Sequence, residues 1–227
     1  MSALRLGLVL VGAGSSRRMG GADKVWSALA GHPVVWHSLT RLGPRADSIC
    51  LVVRKDQLQR AMHELRHADG RLRCVAGGPE RQDSVANGLE ALGTVDIVAV
   101  HDVARPLATP QLLELGVNAL GHCQGAIPVL PLHDTVKRVD EAGMVLDTVD
   151  RGLLRAVQTP QVFVMDSLVG AHQRARLDGR TGTDDASLME ACGYPVTTFP
   201  GSPSNLKITT AYDLDIACAL LDRGTRP

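Results

Sequence analysis

Aromatic residues make up only 3% of this 227-residue chain, with two each of Trp, Tyr and Phe. Its interior must therefore be built from Leu, Val, Ala and Ile, which suits a parallel sheet buried on both faces. Net charge is also missing. The 24 basic and 24 acidic side chains cancel, so no global field draws the protein to nucleic acid or to a membrane surface, and any anion site must be a local cluster. No apolar run approaches the roughly 18 residues of a membrane span. The N-terminus enters a strand-like segment at once, with no secretory signal pattern before it. Cys50, Cys74, Cys123, Cys192 and Cys218 form no C-x-x-C pair and are odd in number, which predicts buried free thiols in a reducing compartment. Together these absences predict a cytoplasmic protein with neither nucleic-acid nor membrane partners. The remainder, 44% hydrophobic and 21% charged, is ordinary globular composition, and the length fits a single domain over 1–227.

Two familiar phosphate signatures are absent as well. The loop after the first apolar run reads Gly12-Ala13-Gly14-Ser15-Ser16-Arg17-Arg18, a G-x-G-x-x-R that lacks the third Gly of the dinucleotide fingerprint, and no G-x-x-x-x-G-K-[ST] occurs. What stands there instead is a buried strand ending in a Gly/Ser loop that carries Arg17, Arg18 and Lys24. Small residues let the backbone approach a ligand closely and leave N–H groups free for anions, while the cations add fixed charge. The loop therefore predicts a polyphosphate site.

Strand-like and helix-like segments alternate: strands at 6–11, 48–53, 71–75, 96–100 and 125–128, helices at 33–42, 57–67, 81–92 and 109–120. Thr109 is the expected N-cap of the last of these, with Pro110 in its first turn. This order predicts a three-layer, Rossmann-like α/β fold around a mostly parallel sheet. The pattern changes over about 133–155, where 135–139 and 145–149 alternate in polarity around Asp140-Glu141-Ala142-Gly143. That is a β-hairpin, a projecting arm that needs a surface to pack on, such as a second subunit. Helices are expected again at 165–177, 185–192 and 213–222, with a strand at 196–199.

In parallel α/β sheets ligands bind beyond the carboxyl ends of the strands, where three further motifs fall. Gly77-Gly78-Pro79-Glu80-Arg81-Gln82-Asp83-Ser84 is a second Gly loop at a helix start, either a capped turn or a base or phosphate contact. His101-Asp102-Val103-Ala104-Arg105-Pro106 places a carboxylate opposite the first loop, suited to a Mg²⁺ that takes its other ligands from substrate phosphates. Ser204-Asn205-Leu206-Lys207 lies in a polar loop. His101 and His133 have no metal-ligand spacing with any Cys and read as structural or solvated.

In this order, with Asp134-Thr135-Val136-Lys137, Asp150-Arg151, Gln158-Thr159-Pro160-Gln161, Thr183-Asp184-Asp185-Ala186-Ser187 and Asn205-Leu206-Lys207-Ile208-Thr209, the motifs cover essentially the whole chain. They resemble those of the 2-C-methyl-D-erythritol 4-phosphate cytidylyltransferase family, a homodimeric family of the non-mevalonate isoprenoid pathway with a nucleotide-diphospho-sugar transferase-like fold. The resemblance implies transfer of CMP from CTP to 2-C-methyl-D-erythritol 4-phosphate, with Mg²⁺. It implies that Arg18, Lys24 and Lys207 act on the reacting phosphates, that Gly12, Ala13, Gly14, Gly78, Ser84, Asp102 and Val103 bind CTP, and that Asp102 lies beside the metal. Arg105, Thr135 and Lys207 would hold the acceptor, with Arg151 and Thr159 supplied by the partner subunit through the arm. The neighbouring readings are a ribitol 5-phosphate cytidylyltransferase, a guanylyltransferase that shares the first loop, and a non-catalytic nucleotide-binding protein on the same fold. Asp23 stands before the lysine where the family often has Pro, and Ser204 stands where an acid is common.

Overall fold

The structure, a computed structural model, describes residues 4–14, 23–65 and 67–224. It opens with β1 (Leu6–Val11), a short ribbon of β2 (Ala28–Leu29) and β3 (His32–Pro33), α1 (Val34–Leu42), β4 (Ser48–Val53), α2 (Leu58–Leu65), β5 (Leu72–Ala76) and α3 (Arg81–Leu92). Then come β6 (Ile97–Asp102), α4 (Pro110–Ala119), β7 (Gly125–Pro131), β8 (Val136–Val139), β9 (Val145–Val149), β10 (Arg155–Val157) and β11 (Gln161–Val164). The chain closes with α5 (Met165–Leu177), α6 (Asp185–Ala191), β12 (Val196–Pro200) and α7 (Ala211–Gly224).

The main sheet runs β5-β4-β1-β6-β11-β7-β10, with β12 also paired to β7. β5, β4, β1 and β6 are mutually parallel. Successive strand residues point to opposite faces, and both faces are apolar. Leu8, Leu10, Ile49, Leu51 and Ala99 face α1, α2, α4 and α7. Val9, Cys50, Val52, Val98 and Val100 face α3, α5 and α6. This is the expected three-layer arrangement, and the near-absence of aromatics is met by branched aliphatic residues packed from both sides.

Three features depart from the sequence expectation. β6 extends through His101 and Asp102, so both are strand residues rather than part of the loop that follows. β10 and β11 were not anticipated; they are three- and four-residue strands antiparallel to β7, separated by Gln158-Thr159-Pro160. The ribbon of β2 and β3 was also missed, because it offers two residues per strand around a turn with positive φ at Ala30 and Gly31. Of the five free cysteines, only Cys50 is fully buried and the other four are partly exposed.

The hairpin of β8 and β9 forms a separate two-stranded sheet. Its Val139, Met144, Val145 and Leu146 are exposed, an apolar display without a covering surface in this chain. Among the described residues no helix is long and apolar enough to cross a membrane.

Candidate active site

Three loops leave the carboxyl ends of the parallel strands β1, β5 and β6 and enclose a cleft of about 650 Å³. Each loop begins by continuing the sheet ladder. Gly12 N–H donates to Val52 O at 2.7 Å, Gly77 N–H to Val53 O at 2.8 Å, and Val103 N–H to Val11 O at 3.0 Å. The loops are thus fixed by the sheet before they diverge. Gly77 is required by close approach: a Cβ there would lie 2.3 Å from the Ala13 Cβ, so a side chain would push the first and second loops apart. Ser84 pins the second loop by accepting from Gly78 N–H at 3.2 Å and donating to Glu80 O at 3.1 Å.

Asp102 is the carboxylate at the floor. It is 8% exposed, and each of its oxygens meets a cation. Lys207 Nζ donates to Oδ2 at 2.5 Å and Arg81 Nε to Oδ1 at 3.3 Å. Burial pushes its pKa up, but Arg81 and Lys207 outweigh that and hold the carboxyl well below the usual carboxylate range. Arg81 also donates to Asp185 Oδ2 at 2.8 Å, and Asp185 Oδ1 lies 3.0 Å from His172 Nε2. Burial raises the Asp185 pKa, and Arg81 and His172 together bring it below its ordinary value.

Behind Asp102 a closed hydrogen-bond network sets the strand end. His101 is fully buried, and burial pushes its ring down to about 4, so it is neutral near pH 7. Its Nε2 lies 3.1 Å from the Arg105 carbonyl, which can only accept, so Nε2 carries the proton and Nδ1 accepts. Thr159 Oγ1, 3.1 Å from Nδ1, must then donate to it while accepting from Asp102 N–H at 3.0 Å. Asn205 Nδ2 donates to Thr159 O at 2.8 Å, and Arg105 Nη1 donates to Asn205 O at 2.8 Å.

The electrostatics suit a phosphate-rich ligand: two cations beside one carboxylate, a further lysine, Lys24, on the cleft wall, and the N-terminus of α3 at the rim. Among the described residues no three His, Cys, Asp or Glu side chains gather as a metal cage. Asp102 and Glu80 are the carboxylates among the residues that line the cleft, and a Mg²⁺ that completes its shell from substrate phosphates and water needs only one or two such ligands.

Known proteins resemble this chain over nearly its whole length. The family model described as "IspD: 2-C-methyl-D-erythritol 4-phosphate cytidylyltransferase" matches residues 6–223. The chain belongs to the IspD family. A relative of that name from Dehalococcoides mccartyi is 42% identical over 224 residues, covering 97% of each chain. Another from Symbiobacterium thermophilum is 42% identical and covers 96% of this chain and 94% of its own. Among solved structures, 4-diphosphocytidyl-2C-methyl-D-erythritol synthase of Anaerococcus prevotii superposes with a TM-score of 0.85 at 30% identity, covering 97% of this chain and 99% of that one. The 2-C-methyl-D-erythritol 4-phosphate cytidylyltransferase of Thermus thermophilus gives 0.79 at 31%, covering 94% and 98%.

In this IspD-family chain, the cleft collects Gly12, Ala13, Gly14 and Lys24 from the first loop and Gly78 and Ser84 from the second. Asp102, Val103 and Lys207 complete the expected set that lines it. Arg18 lies outside the described residues. Arg105 does not line the cleft; its guanidinium holds the Asn205 carbonyl and, at 3.4 Å, the Val157 carbonyl. Thr135 and Arg151 are exposed at the base of the hairpin, where Arg151 Nη1 donates to the His133 carbonyl. Thr159 corrects its expectation. It is 6% exposed and sits between β10 and β11 in the sheet of its own chain, bonded to Asp102 and His101, so it is not placed to reach another subunit's site. Arg81, Asp185 and His172 were missed. The one local signal was an arginine in the first turn of α3, where a helix dipole disfavours a cation.

Proposed function

We propose that this chain transfers CMP from CTP to 2-C-methyl-D-erythritol 4-phosphate, giving 4-diphosphocytidyl-2-C-methyl-D-erythritol and pyrophosphate, as a cytoplasmic enzyme of the non-mevalonate isoprenoid pathway. The observation that carries this reading is the pairing of Asp102 with Lys207 at 2.5 Å on the floor of a cleft walled by the glycine loop and Lys24. A carboxylate for a metal and an ammonium for a phosphate stand side by side, which is what joining two phosphates requires.

The acceptor phosphate oxygen attacks the α-phosphorus of CTP in line; the bond to the bridging oxygen breaks and pyrophosphate leaves with that electron pair. Two anions must meet. A pair of unit charges about 4 Å apart repels by about 1 kcal/mol in water and about 4 kcal/mol at an effective dielectric of about 20. Lys24 and Arg18 offset charge on the nucleotide phosphates, and Lys207 offsets charge on the acceptor. The nucleophile is already an anion, so the site needs no general base, and catalysis is positioning plus charge stabilisation. Asp102 would hold Mg²⁺, which when bound neutralises phosphate charge. Gly12, Ala13, Gly14, Gly78, Ser84 and Val103 shape the nucleotide half of the cleft.

The reading includes a homodimer. The exposed apolar residues of the hairpin support it, as does the position of Arg151 at the hairpin base and outside the cleft of its own chain. Arg151 would then reach the acceptor site of the partner, and Arg151→Ala should raise the acceptor KM more than it lowers kcat.

The test offers CTP or GTP with methylerythritol phosphate or ribitol 5-phosphate and identifies the product by mass. A product from CTP and methylerythritol phosphate alone is expected. A product from ribitol 5-phosphate or GTP alone would move the chain to a sister reaction, and CTP binding without any product would make it a non-catalytic nucleotide-binding protein.

A further inference from the structure

Arg81 opens α3, where the positive end of the helix dipole opposes a cation. A residue that breaks a local rule marks a site where something else decides its identity. Its guanidinium spans two carboxylates on two other elements, Asp185 at the start of α6 and Asp102 at the end of β6. Asp185 is 1% exposed and is held at its second oxygen by His172 of α5.

The same region is tied twice more. Gln82 accepts from Gly182 N–H at 3.0 Å and donates to Arg180 O at 3.2 Å, and Gln161 Nε2 donates to Asp184 Oδ2 at 2.8 Å. Arg81 is therefore anchored on the side away from the cleft.

The two cations on Asp102 differ in this respect. The Lys207 side chain is 44% exposed, against 30% for Arg81, and belongs to a loop that follows the sheet. An ammonium on a flexible stem can turn to a new anion, whereas a forked guanidinium fixed at both ends cannot.

We propose that Arg81 is a positioning residue: anchored by Asp185 and His172, it sets the direction of the Asp102 carboxylate and remains its counter-cation when Lys207 turns to a substrate phosphate. This rests on the cytidylyl-transfer reading above. In that reading Asp185 and His172 are functional at one remove, although neither lines the cleft.

The test uses the full chain as wild type and as Arg81→Gln, Arg81→Lys and Asp185→Asn. Pyrophosphate release gives kcat and both KM values, calorimetry with CTP alone gives nucleotide affinity, and thermal melts report folding. Loss of an orienting partner behind a metal-ligating carboxylate lowers activity by about 10- to 100-fold. Arg81→Gln should lower kcat by that factor at matched folded fraction while CTP affinity stays near wild type; its melting temperature should fall as well, because Asp185 loses a buried counter-charge. Arg81→Lys, which restores one cation between the carboxylates, should recover part of it, and Asp185→Asn should lower kcat in the same direction without touching the cleft. If Arg81→Gln weakens CTP binding and leaves kcat unchanged, Arg81 is a nucleotide contact and the inference is overturned. If the lysine and glutamine variants behave alike and kcat follows the melting temperature, the pair is structural only, and the inference is again overturned. A wild type inert with CTP and methylerythritol phosphate would overturn the cytidylyl-transfer reading itself, a result seen before any variant is made.

Discussion

Thr159→Val removes one hydroxyl at constant shape, and the structure assigns that hydroxyl two buried duties. It accepts from Asp102 N–H at 3.0 Å and donates to His101 Nδ1 at 3.1 Å. Valine does neither, and with His101 fully buried and Asp102 8% exposed, water has little access to either orphan. A buried donor or acceptor left unpaired costs about 1–3 kcal/mol, so the two together cost about 3 kcal/mol after modest relaxation. For a chain of this size each kcal/mol lowers the melting temperature by about 2–4 °C, which gives a fall of about 6–12 °C. Thr159→Ser keeps the hydroxyl and should lose only the packing of one methyl, about 1 kcal/mol. Calorimetric or far-UV melts measure the first effect, and steady-state kinetics measures a second: kcat should drop with Asp102 misplaced, while the acceptor KM changes little. A Thr159→Val protein that melts like wild type but binds the acceptor poorly would refute the network and restore Thr159 as a substrate contact.

Other consequences follow from the same geometry. His101, pushed down to about 4 by burial, is neutral in the folded protein, whereas the unfolded chain takes up a proton below about 6.5. Its contribution to stability is therefore full above about pH 6.5 and is lost as pH falls toward 4, at up to about 1.4 kcal/mol per pH unit. Urea melts at pH 7, 6 and 5 should show that slope in wild type and a shallower one in His101→Gln; parallel slopes would contradict it. Asp213 Oδ2 accepts from the backbone N–H and hydroxyl groups of Thr209 and Thr210 at the start of α7, and Asp213→Ala should cost about 1–2 kcal/mol as other lost helix caps do, read as an unfolding midpoint. Lys24→Ala should lower turnover by about 10²- to 10³-fold at matched folded fraction, the scale of losing one electrostatic stabiliser of a transition state; near-normal turnover would remove the first loop from the chemistry.

The parallel half of the sheet was legible because β1, most of β4 and the first four residues of β6 are short, nearly continuous apolar segments of strand length, as strands covered on both faces read. β10 and β11 were not legible. Three or four residues each, they are held by pairing with β7 and β6 rather than by propensity, a tertiary effect that overrides the local signal. The cleft shows the same division. Gly12, Lys24 and Asp102 could be found because strand ends and glycine loops mark where a ligand binds. Thr159 could not be read correctly, because whether a threonine points to a ligand or into a buried network depends on the histidine at 101 that faces it 58 positions away. Arg81 of α3 is 104 positions from Asp185, and only the packing of α3 with the consecutive helices α5 and α6 on one face of the sheet brings it to Asp185 and His172.

The central claim is that the cleft around Asp102 transfers CMP from CTP to a polyol phosphate. It is tested most directly by pyrophosphate release with Mg²⁺, CTP and methylerythritol phosphate, each omitted in turn, in wild type and in Asp102→Asn at matched folding. Release that needs every component and falls by about 10²-fold or more in the variant is the expected result. Wild-type release that persists undiminished in Asp102→Asn would contradict it and place the chemistry elsewhere on the molecule.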